Sequence, residues 1–303
     1  MIFIGGATAS GKTSISIELA KRLNGEIISA DSMQVYKYMN VGTAKATKEE
    51  QCGIVHHMID IVDPHDSYSV AEYQEQARRI IEDVKKRSKV PIIVGGTGLY
   101  VNSLLYDYHP SARDEGLREQ LKQELNQYGI DYMYTKLLEL DPKSAENIHK
   151  NNVKRVLRAL EVIILTGESM ADKRDKEKPY PHLMYAVDME RETLYERINK
   201  RVDIMFDNGL KEEVNYLVND LDVHFDCQSM QAIGYKEFKD YMAGEIEENT
   251  LKELIKQHSR NYAKRQQTWF KSIESCVWIK NEEKESICDK IIKDYSNYCA
   301  KLQ

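Results

Sequence analysis

Gly6-Ala7-Thr8-Ala9-Ser10-Gly11-Lys12-Thr13 restricts what this chain can fold into more than any other stretch, because it fits G-x-x-x-x-G-K-[ST]. The glycines let the backbone wrap a phosphate, and successive N–H groups with the following helix N-terminus hold the anion. Lys12 adds a positive charge, and the Thr13 hydroxyl is a candidate Mg²⁺ ligand. Average composition would give the pattern in roughly one chain in a hundred. Here Ile2-Phe3-Ile4 precedes it as a short buried-strand pattern, and Ile15, Leu19 and Leu23 follow at helical spacing until Asn24-Gly25. The motif therefore sits between a strand and a helix, as its mechanism demands.

The same alternation continues. Glu26-Ile27-Ile28-Ser29-Ala30 reads as a strand ending on Asp31. Ser69 and Glu72 form a capping box that opens a helix with Tyr73, Ala77, Ile80, Ile81 and Val84 on one face. Val90-Pro91-Ile92-Ile93-Val94 is a third strand, breaking at Gly95-Gly96. Strands alternating with helices imply a parallel α/β sheet whose site lies at the strands' C-terminal ends. From about Arg113 to Lys178 the apolar residues recur only at helical spacing, as in Val153/Val156/Leu157/Leu160. Asp172 to Pro179 reads as a polar linker, and Leu183-Met184-Tyr185-Ala186-Val187 returns to strand character. The expected fold is a P-loop NTPase-like α/β core, residues 1–112, with an all-helical insertion domain, residues 113–178. Residues 179–303 return to the core and end in further helices.

Composition narrows the function classes. Apolar residues at 42% and charged residues at 30% suit an ordinary globular protein. A net charge of −6 argues against whole-surface attraction to nucleic acid or membrane, so any RNA must be held by local basic patches. The five cysteines contain no C-x-x-C pair and suit a reducing cytoplasm better than a disulfide framework or a zinc site. No signal peptide and no membrane span are expected.

The loop alone does not name the reaction. A nucleotide hydrolase or kinase wants an apolar strand ending in an acidic residue for Mg²⁺, and only the Asp31 strand qualifies. Asp31 is thus open to two readings: a Mg²⁺ ligand or helix cap, or a general base taking a proton from an attacking amine. Arg201 shares a helical stripe with Leu194, Ile198 and Met205, and a guanidinium there needs an anion. A structural salt bridge would supply one. Lys154, Arg158 and Glu161 share a helical face with Arg155 beside it, which reads either as a solvated face or as an RNA contact. Arg260, Lys264, Gln267 and Lys271 form a basic stripe suited to phosphate contacts.

Seven segments in order resemble one family. They are Gly6 to Thr13, Ala30 to Tyr36, Gly42-Thr43-Ala44-Lys45, His57-Met58-Ile59-Asp60, Gly95 to Tyr100, Gln231-Ala232-Ile233-Gly234-Tyr235 and Tyr262 to Phe270. Together they resemble the tRNA dimethylallyltransferase (isopentenyltransferase) family across nearly the whole chain. The resemblance implies that dimethylallyl diphosphate sits in the loop, Gly6 to Thr13, where a kinase would bind ATP. It implies that the adenosine 3′ of the anticodon is flipped into a channel, where its N6 amine attacks the prenyl carbon and pyrophosphate leaves. By that resemblance Asp31 is the base, Thr13 the hydroxyl for metal or diphosphate, and Arg201 a diphosphate contact. Ser32, Met33 and Gln34 would hold the flipped base with Asp31. Thr97, Arg118, Lys154, Arg155, Arg158, Gln231, Gly234, Tyr235, Lys264, Arg265, Gln266, Trp269 and Lys271 would contact tRNA.

Departures from the family pattern are few. Ala7 and Ala46 stand where proline is usual, and Lys150-Asn151-Asn152 replaces a commoner Pro-Asn-Asp. No zinc finger of the eukaryotic kind is present, which suggests a bacterial-type or organellar enzyme. Mg²⁺ is the expected cofactor, tRNA and dimethylallyl diphosphate the partners, a monomer the working unit and the cytoplasm the location. A prenyltransferase acting on free AMP or ADP, a P-loop small-molecule kinase and a non-catalytic RNA-binding protein remain as alternatives.

Overall fold

The computed structural model describes residues 1–106, 114–171, 181–280 and 283–301. In chain order the elements are β1 (Ile2–Gly6), α1 (Lys12–Leu23), β2 (Gly25–Ser29), α2 (Lys48–Gln51), β3 (His56–His57), α3 (Val70–Lys86), β4 (Val90–Val94) and α4 (Gly98–Leu105). There follow α5 (Glu115–Leu140), α6 (Pro142–Asn147) and α7 (Val153–Thr166). The rest are β5 (Leu183–Asp188), α8 (Arg191–Asp207), α9 (Leu210–Asn215), α10 (Phe238–Met242), α11 (Glu248–Lys271), β6 (Cys276–Lys280) and α12 (Lys284–Ala300). Two compact units emerge, Met1–Leu105 with Tyr180–Gln303, and Tyr106–Pro179. The expected linker and the expected domain edges at 112/113 and 178/179 lie outside the described residues.

The first unit is built on a sheet of order β3-β2-β4-β1-β5-β6, with every pairing parallel. Parallel strands covered on both faces read as continuous apolar runs, and β1 is buried at every residue. Ile2 and Ile4 join Ile15 and Leu19 of α1 and Ile287 and Ile291 of α12 in one cluster. On the opposite face Tyr73 of α3 donates its hydroxyl to Ser29 O, 3.1 Å away. The connection from β1 runs towards β2 and that from β4 towards β5, so chain direction switches between β1 and β4. A crevice outside the carboxyl ends of those two strands is where such sheets bind ligands. Gly6 and Gly95 stand there.

Two strands escaped the sequence pattern. β3 is only His56–His57, too short for any periodicity. β6, Cys276–Lys280, falls where only helices were expected, and its register against Met184–Asp188 makes it the sheet's outer strand. The Ser69–Glu72 capping box is present in both directions, and Asn24 ends α1 in the left-handed conformation.

In the second unit α5 bends at Gly129, whose φ of 79° interrupts the helix. Leu121, Met133 and Leu137 pack on Ala145, Ile148, Val156, Ala159 and Leu160. Glu161 is 2% exposed and receives Arg118 Nε at 2.8 Å and Arg158 Nη1.

β2 carries a buried carboxylate, Glu26, that receives Arg87, Lys89 and the His57 ring nitrogen. The Arg87 guanidinium, then Lys89 and His57, outweigh burial and hold its carboxyl well below the usual 4.5. That stabilisation is present above pH 4.5 and is lost as pH falls towards the depressed value. Its cations are 40% and 32% exposed and can return to water. Glu26→Ala should therefore cost about 1–3 kcal/mol, read by urea unfolding at pH 7, and the gap from wild type should shrink below pH 4.5.

Candidate active site

The turn from β1 into α1 forms an anion cradle. Gly11 precedes the helix at φ 94°, a conformation that L side chains rarely adopt, and Lys12 is the first helical residue. Lys12 Nζ donates to Ala7 O at 2.6 Å, folding the ammonium back over the loop. Arg201, projecting from α8, donates to Thr8 Oγ1 at 3.3 Å. Burial pushes the Lys12 amine down to about 7, the Arg201 charge adds to the fall, and Asp31 opposes it. Burial also lowers the Arg201 guanidinium, against Glu50 and Asp31. Among the described residues neither cation makes an ion pair, which removes the structural salt bridge as an account of Arg201. The Ser10 hydroxyl is buried without a partner.

A cavity of about 430 Å³ opens on this cradle, lined by Thr8, Lys12, Thr13, Asp31, Arg201 and Gln266 among others. A second, of about 300 Å³, is lined by Ser32, Met33, Gly42, Gln231, Ile233 and Arg265 among others. Thr8, Asp31, Thr43, Ala44, Arg201 and Tyr262 line both. Asp31 Oδ1 accepts the N–H groups of Met33 at 2.9 Å and Gln34 at 3.3 Å, closing the turn that follows β2. Oδ2 has no hydrogen-bond partner among the described residues, so one oxygen is free for a proton.

The structure separates the residues expected to touch RNA. Exposed residues include Lys154 and Arg155 on α7, Gln231, and Lys264, Arg265 and Lys271 on α11. None of these five cations is in an ion pair among the described residues. Trp269 is half-buried and packs on Gly98, where an added Cβ would lie 2.6 Å from the indole. Several others are committed to the protein itself. Arg118 and Arg158 clamp the buried Glu161, while Lys154 and Arg155 on the same helix stay exposed. Tyr235 is 0% exposed and gives its hydroxyl to Glu213 at 2.6 Å. Gly234 is buried and donates its N–H to Glu237. Thr97 Oγ1 holds Ser32 N at 3.0 Å, and the Gln34 amide bonds Thr43 O and the Ser29 hydroxyl.

Gln266 is the sharpest correction. It is 4% exposed, accepts Thr8 N at 2.8 Å and donates to Gly96 O at 3.0 Å. It staples the phosphate loop to the end of β4 rather than reaching outward. The side chains that were missed are Tyr262, Lys236 and Glu213. Tyr262 had a signal, since it opens the last family motif. Glu213 had none, because its backbone partners lie more than 170 residues earlier.

A parallel sheet with a Gly-rich loop at its switch point, and two cations without an ion pair among the described residues facing a chamber, define a phosphate-loop type of α/β protein. Comparison with known proteins narrows the class. A model of the IPP transferase family matches residues 34–273. A tRNA dimethylallyltransferase from Bacillus cereus (strain AH187) is 52% identical over 279 residues, covering 90% of this chain and 87% of that one. The solved tRNA isopentenylpyrophosphate transferase of Bacillus halodurans is 44% identical with TM-score 0.75, over 99% of this chain and 98% of that one. A solved eukaryotic dimethylallyltransferase acting on tRNA gives TM-score 0.81 at 29% identity, over 93% of this chain and 74% of its own. The chain belongs to the IPP transferase family.

Two outcomes follow from the cradle. With its amine lowered to about 7, Lys12 gives up its proton readily above neutral pH, and a bound anion should draw the proton back. Pyrophosphate affinity should then fall as pH rises above 7, by up to about tenfold per unit. Calorimetry at pH 8 in buffers of different ionisation enthalpy should show wild type taking up nearly one proton more than Lys12→Arg, whose guanidinium stays charged. Gln266→Leu should cost about 1–3 kcal/mol by leaving Thr8 N and Gly96 O unpaired, and should weaken pyrophosphate binding. Loss of RNA affinity alone, with pyrophosphate binding intact, would contradict the staple.

Proposed function

We propose that this protein transfers the dimethylallyl group of dimethylallyl diphosphate to the N6 amine of adenosine 37, 3′ to the anticodon of tRNA, releasing pyrophosphate. One observation carries the reading: Asp31 and Arg201 stand in the wall shared by the anion cradle and the second cavity. The donor's diphosphate suits the cradle, and the flipped adenine suits the second cavity between Ser32 and Ile233. The exocyclic nitrogen forms a bond to the prenyl C1 as the C1–O bond breaks. The bonding pair leaves on pyrophosphate, and the amine's proton goes to the free Asp31 oxygen. Charge that grows on the leaving group is met by the loop N–H groups, Lys12 and Arg201.

Mg²⁺ fits this arrangement as a cofactor carried largely by the substrate. Thr13 is exposed on the first turn of α1 and lines the cradle, while the described residues hold no cluster of three His, Cys, Asp or Glu side chains. A hydroxyl, diphosphate oxygens and retained waters satisfy Mg²⁺, which binds few protein ligands in such sites. When bound it supplies further neutralisation of the departing diphosphate.

Lys264, Arg265 and Lys271 on α11, and Lys154 and Arg155 on α7, are the phosphate contacts we assign to tRNA. Extruding a base costs a few kcal/mol, which these contacts must offset. A monomer is the proposed working unit. No described helix is long and apolar enough to cross a membrane, and the cytoplasm is the proposed location.

The test incubates unmodified tRNA with dimethylallyl diphosphate and Mg²⁺, followed by nucleoside mass spectrometry. Dimethylallyl-adenosine at position 37 is expected. Prenylation of free AMP with tRNA inert, or ATP turnover without prenyl transfer, would replace the proposal. Asp31→Asn should lower turnover by ~10²–10⁴-fold and leave tRNA affinity within a fewfold.

A further inference from the structure

The N–H groups of three consecutive residues converge on one carboxylate from a distant helix. Glu213 Oε2 accepts Asn40 N and Val41 N at 2.7 Å each, and Oε1 accepts Gly42 N at 3.0 Å. Such a run of N–H groups is an anion nest, and here its occupant is a side chain of the protein. Oε1 also accepts the hydroxyl of Tyr235 at 2.6 Å. The Tyr235 ring lies so close to Gly42 that an added Cβ would stand 2.5 Å from it. Glu213 is therefore bonded to two segments at once.

Both segments wall the second cavity. Downstream of the nest come Thr43 and Ala44, which line it, and Lys45, whose ammonium ties down to Tyr36 O and Asp60. Thr43 O in turn receives the Gln34 amide. Adjacent to Tyr235 are Gln231, Ala232, Ile233 and Lys236, which line the cavity as well. Tyr235 itself touches no open space. Its buried hydroxyl reaches Glu213 and lies against Gly42 and Thr43, so it ties its own segment to the other wall.

We infer that Glu213 is a positioning residue that sets the spacing between these two walls, and with it the width of the slot for the acceptor base. The inference rests on the second cavity being the base slot, as proposed above. A carboxylate is required because all its oxygen partners are donors. A glutamine there would turn an NH₂ group towards backbone N–H groups, which neither can accept. Glu213 touches neither the donor cradle nor the free Asp31 oxygen.

The experiment compares wild type with Glu213→Gln and with Tyr235→Phe, which removes only the link between the walls. Each is assayed on two anticodon stem-loop RNAs, one carrying adenosine and one carrying 2-methyladenosine at the acceptor position. In both variants kcat/KM for the adenosine RNA should fall about tenfold or more, while KM for dimethylallyl diphosphate stays within twofold. The preference for adenosine over the bulkier 2-methyladenosine should narrow, because a slackened slot discriminates less by size. A loss of folded enzyme would instead lower the rates on both RNAs alike and leave their ratio unchanged. An unchanged ratio in the variants, or a matching loss of donor affinity, would overturn the inference. If Glu213→Gln does not fold, the Tyr235→Phe ratio decides alone. Wild-type enzyme that prenylates neither RNA would refute the proposed function rather than this role for Glu213.

Discussion

Two cations that repel one another, Lys12 and Arg201, are held beside one chamber with no ion pair among the described residues, and much of the surrounding structure exists to keep them there. Each resists burial, as the lowered amine and guanidinium values record. An isolated protein would relieve that strain by letting the side chains swing into water. The fold prevents it by anchoring Lys12 to its own loop carbonyl and Arg201 to Thr8, on a helix whose Leu194, Ile198 and Val202 are buried. The result is a site that gains more from an anion than from water, which is the electrostatic preorganisation a departing diphosphate requires.

The loop that carries this charge is itself stapled from a distance. Gln266 belongs to α11, yet it fixes the loop's Thr8 against Gly96 at the end of β4. Glu213 of α9 does the same for Asn40 to Gly42. In each case a polar side chain from a C-terminal helix satisfies backbone groups of an N-terminal or neighbouring loop. Loops at strand ends carry backbone donors that no sheet ladder can use. Here helices α9 and α11 supply the missing partners, so the helical C-terminal part completes a site that begins at residue 6.

That arrangement explains what was legible in the sequence. The phosphate loop, the Ser69–Glu72 capping box and the Asn24 helix stop are written in consecutive residues, and each stands as read. β6 was hidden because Cys276-Val277-Trp278-Ile279 becomes a strand through pairing with β5, about ninety residues earlier. The committed partners were hidden for the same reason. Gln266 looks like one polar residue among several on a basic helix, and only the fold shows that it alone turns inward. Glu161 sits among charges that read as a solvated face, and its burial under Arg118 and Arg158 depends on how α5 meets α7. Motif resemblance located the segments that matter, but it did not distinguish residues that face a ligand from residues that hold those that do.

Charge placement shows how an acidic chain can still hold a polyanion. With a net charge of −6 the protein gains nothing from its overall field. Yet its acids are not spread evenly against its bases. Glu26, Glu161, Glu213 and Glu237 are drawn onto internal partners, and α3 pairs Arg79 with Glu75 and Arg87 with Asp83 along its own surface. Lys264, Arg265 and Lys271 on α11 are exposed and form no ion pair among the described residues. A phosphate meeting such a cation need not first displace a carboxylate, so each contact retains the counterion-release gain that a paired lysine would forfeit. Arg265 also lines the second cavity, which brings positive charge without an ion pair among the described residues to its rim. The local field at that rim is therefore set by a few unpaired residues on one helix, and the sign of the whole molecule has little bearing on it.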